Sequence, residues 1–193
     1  MVASLVQPGT APVWDLGCEH GQLWPFVPSR RVVGLELRHH LLTRRGQRPC
    51  AVMDGLAALA AAPGTVVAAG IGERVVLAAL AAPALAACTQ LVMVPSPLPY
   101  GLRPHVRACG WYCHRERLVA ERGRFHVVID ARRGPGPAAG GADAELLGPR
   151  LVANHDPLLA PYLEDLVARR RHAAAGSPEG QFVAAARRLL ATL

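Results

Sequence analysis

Residues 13–21 read Val13-Trp14-Asp15-Leu16-Gly17-Cys18-Glu19-His20-Gly21. The apolar residues at the start predict the end of a β-strand, and the two glycines predict a turn into a helix. Such a turn leaves bare backbone beside a ligand, because glycine has no side chain to block the approach. The GxGxxG spacing of dinucleotide sites is absent, which argues against a nicotinamide or flavin. The stretch therefore has the shape of a nucleotide-class binding turn, and a plain strand-to-helix connection is the alternative.

Composition limits the classes of protein to which the chain can belong. With 193 residues, 51% of them hydrophobic, it is long enough for one well-buried domain and a smaller appendage. The net charge is +7, because 21 basic residues, all arginine, outnumber 14 acidic ones. This excess favours an anionic partner such as nucleic acid. A GC-rich genome, which enriches Ala, Gly, Pro and Arg, would produce the same bias.

Cysteine usage and hydropathy argue against disulfides, metals and membranes. The five cysteines are odd in number and form no CxxC pair, so neither a disulfide framework nor a zinc ribbon is expected. Cys109, Cys113 and His114 are close in sequence but fall on a predicted helix end and strand, and we expect no metal there. Since no apolar run reaches the roughly eighteen residues of a membrane span, we expect a cytoplasmic protein that does not enter membranes.

Short runs of β-branched residues alternate with Ala- and Leu-rich stretches. The runs predict strands at residues 13–16, 31–37, 50–53, 65–69 and 91–94. Stretches of helical character lie between several of them, at 56–62 and 73–82. This alternation predicts a parallel sheet covered by helices.

The pattern changes after Gly110. Residues 111–121 and 124–131 are extended runs separated only by the polar turn Arg122-Gly123, which predicts an antiparallel hairpin. An α/β sheet that ends in such a hairpin has the strand order of Rossmann-like methyltransferases. We therefore expect residues 1–133 to form a Rossmann-like, class I methyltransferase domain.

The rest of the chain predicts a small helical domain. Residues 134–144, rich in Gly, Pro and Ala, predict a linker, and residues 145–193 an α-helical hairpin with helices near 158–174 and 178–192. Ser177-Pro178 suits the start of the second helix. The arginines of this domain could contact phosphates or face water; they are Arg169, Arg170, Arg171, Arg187 and Arg188.

Acidic residues stand at the ends of three successive predicted strands. Asp15 opens the first turn, Glu36 ends the second strand, and Asp54-Gly55 follows the third. In class I methyltransferases, S-adenosylmethionine lies across these strand ends. One carboxylate can accept hydrogen bonds from both ribose hydroxyls, and another can meet the adenine amino group. Each acid alone is more typical of a solvated strand end, but the three together favour a site for this cofactor.

Six collinear blocks resemble the bacterial tRNA adenine-22 N1-methyltransferases, the TrmK family. The blocks are Asp15–Leu23, Met53–Leu56, Ala68–Glu73, Leu102-Arg103 with Gly110-Trp111, Glu116–Val128 and Leu147–Leu151. The resemblance covers about residues 13–175 and implies a two-domain, S-adenosylmethionine-dependent enzyme. Such an enzyme methylates N1 of an adenine in the D-loop region of tRNA, and we expect it to be a monomer.

The resemblance also implies roles for individual residues. The implied cofactor-binding residues are Asp15, Gly17, Glu19, His20 and Gly21 on the methionine side, Glu36 at the ribose, Asp54 and Gly55 at the adenine, and Ala69 and Gly70 below the methyl group. The catalytic candidates are Gly70, Gly72 and Ser96. Because adenine N1 has its own lone pair, the enzyme mainly has to align it with the methyl group and exclude water. Trp24, Tyr100 and Trp111 are candidates for stacking on the exposed base, with a core position as the alternative.

Four departures from the family pattern put substrate choice in doubt. Glu19-His20 replaces Asp-His, Ala69–Glu73 replaces AGMGG, and Val94–Ser96 replaces Gln-Pro-Asn. We also expect no helix before the first strand, because Pro8–Pro12 breaks any helix there. The alternative function is a non-catalytic or retargeted relative that binds RNA, or that methylates another RNA or a small molecule.

Overall fold

In the described part of the chain, seven strands form one mixed sheet. The computed structural model describes residues 1–9, 11–29, 31–42, 49–54, 56, 63–96, 101–138 and 140–193. The strands are β1 (Val13–Leu16), β2 (Val32–Glu36), β3 (Cys50–Val52), β4 (Thr65–Gly72), β5 (Gln90–Ser96), β6 (Trp111–Glu121) and β7 (Arg124–Arg133).

The strand order is β3-β2-β1-β4-β5-β7-β6. Strands β1 to β5 are parallel, and β7 runs antiparallel to both β5 and β6. The prediction of a parallel α/β sheet that ends in an antiparallel hairpin is confirmed. This order brings the carboxyl ends of β1 to β5, and with them the beginning of β7, to one edge of the sheet.

Helices precede, connect and follow the strands. They are α1 (Val2–Leu5), α2 (His39–Leu42), α3 (Glu73–Leu80), α4 (Leu102–Ala108), α5 (Ala142–Leu147), α6 (Pro149–Ala153), α7 (Leu159–Arg169) and α8 (Pro178–Leu190). The expectation that no helix precedes β1 is wrong: the proline-rich stretch begins only at Pro8 and leaves Val2–Leu5 free to form one turn. The predicted helix at 56–62 lies almost wholly outside the described residues.

Alternating residues of the strands enter two separate hydrophobic clusters, as expected when both faces of a sheet are covered. On β4, Val66 and Ala68 join the larger cluster, which includes α3, α4 and the C-terminal helices. Val67, on the opposite face, joins a smaller cluster with α1 and Trp24. The C-terminal helices therefore share a core with one face of the sheet.

A buried ion pair joins the sheet to the C-terminal helices. Arg103 of α4 donates through Nε to Glu116 of β6 at 2.7 Å, and both side chains are fully buried. Arg103 also donates to the carbonyl of Leu146 in α5, and Glu116 accepts from the backbone amide of Arg150 in α6. Burial alone would lower the pKa of Arg103, but the adjacent Glu116 raises it, so the guanidinium stays charged.

The assignment of residues 1–133, 134–144 and 145–193 to domain, linker and helical hairpin stays a prediction. Helix α5 begins at Ala142, inside the stretch predicted as linker, and contacts both α4 and α8. Two short helices, α5 and α6, thus precede the predicted helical pair. Ser177 caps α8 by accepting a hydrogen bond from the Gly180 amide at 3.0 Å, as the sequence predicts.

A second polar network ties the N-terminal segment to the opposite edge of the sheet. The fully buried Gln90 side chain donates to the carbonyl of Leu5 at 2.7 Å and to Asp130 at 2.9 Å. Its carbonyl oxygen accepts from the amide of Gln7. Arg115 bonds both Asp130 and the Leu5 carbonyl, so the network joins the N-terminal segment to β5, β6 and β7.

Within the described ranges, none of the helices is long and apolar enough to cross a lipid bilayer.

Candidate active site

The turn after β1 is packed tightly against the neighbouring strands. The backbone amides of Gly17 and Cys18 donate to the Leu35 carbonyl of β2 at 2.8 and 3.2 Å. Gly17 has a φ of +69°, and a Cβ there would lie 2.6 Å from Cγ2 of Ile71 in β4. Only glycine satisfies both conditions without strain. The turn is thus held between β2 and β4, at the carboxyl edge of the sheet.

Trp24 is a structural part of this turn. Its indole nitrogen donates to Oδ2 of Asp15 at 2.7 Å, and the residue is 5% exposed. A Cβ on Gly21 or Gly34 would lie 2.9 or 2.5 Å from the ring, so both glycines make room for it. The candidate role of Trp24 in stacking on a substrate base is therefore wrong, since the ring is enclosed by the turn it supports.

Glu36 is a buried carboxylate at the end of β2. Its Oε2 accepts from the backbone amide of Glu19 at 3.0 Å, and its Oε1 accepts from the amide of Arg38 at 3.0 Å. The Nε of Arg38 adds a longer contact to Oε1 at 3.4 Å from a side chain that is 58% exposed. Burial raises the pKa of Glu36, but these donors outweigh it and hold the pKa below its ordinary value.

The hydrogen bond from Glu19 to Glu36 joins the turn after β1 to the end of β2. Glu19 adopts a φ of +43°, which is uncommon outside glycine, and this conformation presents its amide to the carboxylate. The side chains of Glu19 and His20 are exposed at the same edge. Two of the sequence-derived candidates, Glu19 and Glu36, are thus in direct contact.

The end of β4 lies beside the end of β5. Gly72 pairs with Ser96, and a bulge between Ala69 and Ile71 interrupts the register of the two strands. Gly70 has a φ of +73°, and a Cβ there would have no described atom within 4 Å. As far as the described residues show, the backbone at Gly70 therefore borders open space, in contrast to Gly17. Ser96 is exposed at the same edge.

Glu73, the acid that departs from the family pattern, is engaged with the backbone. Its Oε1 accepts from the amide of Gly101 at 2.8 Å, immediately before α4. The first turn of α3 is therefore tied to the first residue of α4. Such a bond directs the carboxylate toward the chain that follows β5.

The remaining candidates are divided between exposed, buried and undescribed positions. Asp54 is exposed just beyond β3, and its part in adenine binding stays a prediction. Gly55 and Tyr100 lie outside the described residues. Trp111 is 1% exposed and packs under Arg133, whose guanidinium carbon lies 4.3 Å from the ring centre, so its candidate role in base stacking is wrong.

The cysteines near the hairpin do not form a cluster. Cys113 is buried on β6 and His114 is exposed, whereas Cys109 caps the end of α4. Burial raises the pKa of the Cys113 thiol to about 12, which keeps it neutral. Among the described residues, no three His, Cys, Asp or Glu side chains come together in a way that could hold a metal ion.

A cavity that the sequence did not reveal adjoins Ser96. It has a volume of about 270 Å³ and opens between the end of β5, the start of β7 and α7. Its lining includes Arg124, Phe125, Arg169 and Arg170. Two of the C-terminal arginines singled out from the sequence thus face the sheet edge. The sequence did not single out Arg38 or Arg124, because nothing in it separates them from the other arginines.

A five-stranded parallel unit, a closing antiparallel hairpin and a buried acid at the end of β2 together define a class I methyltransferase fold. The sequence matches the family model TrmK, described as tRNA (adenine(22)-N(1))-methyltransferase, over residues 36–189. The chain belongs to this family. A comparison with the curated proteins found no significant match.

Solved structures similar to this chain include members of the same family. TrmK of B. subtilis, an M1A22 tRNA methyltransferase, is 17% identical with a TM-score of 0.69, and the match covers 98% of this chain and 93% of that one. M. capricolum TrmK in complex with S-adenosyl-homocysteine is 11% identical with a TM-score of 0.72, covering 98% and 95%. Sp1610 of Streptococcus pneumoniae in complex with S-adenosyl-L-methionine is 21% identical with a TM-score of 0.76, covering 98% and 96%. At these identities the likeness establishes the fold, including the first turn that precedes the family match.

Proposed function

We propose that this chain transfers the methyl group of S-adenosylmethionine to N1 of adenine 22 in tRNA, in the cytoplasm and as a monomer. Membership of the TrmK family supports the reaction and the substrate. The observation that carries the proposal is the buried Glu36 carboxylate, fixed by two backbone amides at the carboxyl edge of the sheet.

The acceptor capacity of Glu36 fits the ribose of the cofactor. A carboxylate offers about four lone pairs, and the described residues use three of them, one through the long contact from Arg38. One ribose hydroxyl could donate to Oε2. The second could donate to Oε1 once the exposed Arg38 side chain moves into solvent. The pair of hydroxyls therefore matches what the carboxylate can still accept.

The other cofactor contacts belong to the same edge. Asp15, Gly17, Glu19, His20 and Gly21 would border the methionine part, and Asp54 and Gly55 the adenine. The space beside Gly17 is occupied by Ile71, and the space beside Gly21 is occupied by Trp24. We therefore assign both glycines a role in shaping the turn. Gly70, beside open space, and Ala69 are the better candidates for the floor beneath the methyl group.

S-adenosylmethionine supplies a methyl group bound to a positively charged sulfur, which makes it a strong electrophile. Adenine N1 attacks through its own lone pair, so the chain needs no general base. Its task is to hold the base in line and to exclude water. Gly70, Gly72 and Ser96 border the place where the base would lie, and the Ser96 hydroxyl is a hydrogen-bonding group there.

The arginines differ in their availability to RNA. Arg188 pairs with Asp143 at 2.6 Å, and Arg169 pairs with Asp165 at 2.6 Å. Arg171 and Arg187 are exposed, whereas Arg170 lines the cavity beside Ser96 and contacts Glu179 at 3.1 Å. We infer that Arg170 is nearest to the bound RNA, and that Arg188 mainly joins α8 to α5.

Labelled S-adenosylmethionine and bulk host tRNA test the proposal. We expect label in N1-methyladenosine, located at position 22 by mass spectrometry of nuclease fragments. Glu36→Gln should weaken cofactor binding at least tenfold in calorimetry, because charged hydrogen bonds to the ribose are lost. Glu164→Gln, which alters an exposed acid on α7, is the control and should bind normally.

The opposite result is also informative. Cofactor binding that depends on Glu36, with no label in tRNA adenine, would overturn the substrate and favour a retargeted methyltransferase. The bond from Glu73 to Gly101 and the hydroxyl of Ser96, both at the sheet edge, are the observations behind that second candidate.

A further inference from the structure

The cavity beside Ser96 has the lining of a site for part of an RNA chain. Its volume of about 270 Å³ is just below the range of about 300–1,000 Å³ typical of pockets for whole small molecules. It is bordered on one side by the first residues of β7, Arg124 to His126, and on the other by Tyr162, Arg169 and Arg170 of the α7 region. The size favours a single unit of a longer ligand.

The charge of the lining is positive. Three arginines and one histidine line the cavity, against the single carboxylate of Asp165. Asp165 is already bound by Arg169, which also donates to the Gly123 carbonyl of the hairpin turn at 3.0 Å. Arg170 contacts Glu179 at 3.1 Å from the start of α8. Once these two pairs are counted, the cavity keeps one arginine, Arg124, whose charge no carboxylate of the lining offsets.

Arg124 is the cation most available to a ligand. It is exposed at the first position of β7, where its backbone pairs with Glu121 of β6, and its side chain forms no hydrogen bond or ion pair with any of the residues that the structure describes. A cation in this position can meet an anion without first breaking an internal bond. Phosphate groups are the anions that RNA offers at every nucleotide.

An aromatic ring stands next to these cations. Phe125 is half-buried and makes an edge contact with Tyr162, with ring centres 5.9 Å apart at an angle of 66°. Tyr162 is 1% exposed, so it supports the Phe125 ring from the core side. A fixed ring bordered by arginines is the combination that proteins use to hold a nucleotide of single-stranded RNA.

We propose that this cavity binds one nucleotide of the tRNA beside the methylated adenine, with its phosphate at Arg124 and Arg170 and its base against Phe125. The inference rests on the proposed function, because it takes tRNA as the substrate. The position of the cavity supports the proposal. Ser96 lines the cavity and also lies at the sheet edge, where the adenine would meet the methyl group. A nucleotide held here would help to keep the target base unstacked.

Binding of fluorescently labelled host tRNA, measured by anisotropy over a series of salt concentrations, tests the proposal. Arg124→Ala should weaken binding about three- to tenfold and reduce the slope of log K against log salt by about 0.7–0.9, the value for one lost phosphate contact. Arg31→Ala is the matched control, because it removes the same charge at the start of β2, at the opposite edge of the sheet. Equal effects of the two variants would overturn the proposal.

A second variant tests the ring. Phe125→Leu keeps an apolar side chain against Tyr162 but removes the flat face. We expect the KM for tRNA to rise about five- to tenfold, with kcat and cofactor affinity nearly unchanged. An unchanged KM in a variant with wild-type thermal unfolding would exclude base contact at Phe125.

The binding measurement separates this inference from the proposed function. If the wild-type protein methylates tRNA but Arg124→Ala binds as Arg31→Ala does, the cavity proposal fails alone. If the wild-type protein binds tRNA without methylating it, the proposed function fails, and the two variants still decide whether the cavity contacts RNA.

Discussion

The two halves of the sheet hold their buried charges in different ways. In the half proposed to bind the cofactor, formed by β1 to β3 and the turn at 13–21 and called the cofactor half below, Glu36 is held mainly by backbone amides and keeps part of its acceptor capacity. In the hairpin half, formed by β5 to β7, one of the two buried acids, Glu116, is bonded by Arg103 and by the Arg150 amide. In the hairpin half the buried charge stabilises the fold, and in the half formed by β1 to β3 the remaining acceptor capacity of Glu36 is what the proposed cofactor contact requires.

The largest effect is expected in the hairpin half, when the buried Glu116 loses the arginine that neutralises it. Arg103→Met leaves Glu116 buried without its cation, and should lower the free energy of unfolding by about 3–5 kcal/mol. The double variant Arg103→Met/Glu116→Leu should recover part of this loss, because no unpaired charge is left. Urea unfolding measures both. A single variant that lost less than about 1 kcal/mol would show that the pair does not anchor the C-terminal helices.

The second-largest loss of stability is expected in the turn that follows β1. Gly17→Ala combines a φ of +69° with a Cβ 2.6 Å from Ile71, and should cost about 2 kcal/mol or more. Gly110→Ala is the control, because Gly110 has a φ of +78° but no described atom within 4 Å of the added Cβ. Thermal unfolding should show the greater loss at Gly17. Equal losses would mean that Ile71 moves aside freely.

The pH dependence of cofactor binding tests whether Glu36 must be ionised to hold the cofactor. Because the pKa of Glu36 is below its ordinary value of 4.5, its stabilising effect is complete above that value and is lost as the pH falls through the lowered pKa. Calorimetry should therefore find constant affinity from neutral pH to about pH 5, with a decline only below the ordinary value. Affinity that declined already at pH 6, in wild type but not in Glu36→Gln, would contradict this sign.

The smallest effect is expected at Arg38. Its contact with Glu36 is long and its side chain is mostly exposed, and such pairs contribute little. Arg38→Ala should change the cofactor affinity by less than about threefold, and in the direction of tighter binding, since Oε1 is released for a ribose hydroxyl. A tenfold loss, measured by calorimetry beside Arg31→Ala, would show instead that Arg38 holds the carboxylate in place.

The sequence predicted the sheet, its hairpin and the position of Glu36 because these depend on short patterns: β-branched runs, a two-residue turn and an acid at a strand end. It did not predict that Trp24 packs into the turn after β1. The position of this ring depends on the space left by Gly34, which is ten residues away in β2. Nor did the sequence show which arginines form ion pairs within the protein. Arg188 and Asp143 are 45 residues apart, and only the fold brings them together. The helix at Val2–Leu5 escapes the sequence prediction because the proline-rich break begins only at Pro8 and does not reach the N-terminal turn.

The network around Gln90 has a consequence for synthesis on the ribosome. Its bonds join Leu5, Gln90, Arg115 and Asp130, so the network that holds the N-terminal segment is complete only after residue 130 has been made. Contacts between such distant residues form late, because long loops must close first. The N-terminal segment should therefore remain accessible to proteases on stalled nascent chains that end before β7, and become protected once β7 has emerged.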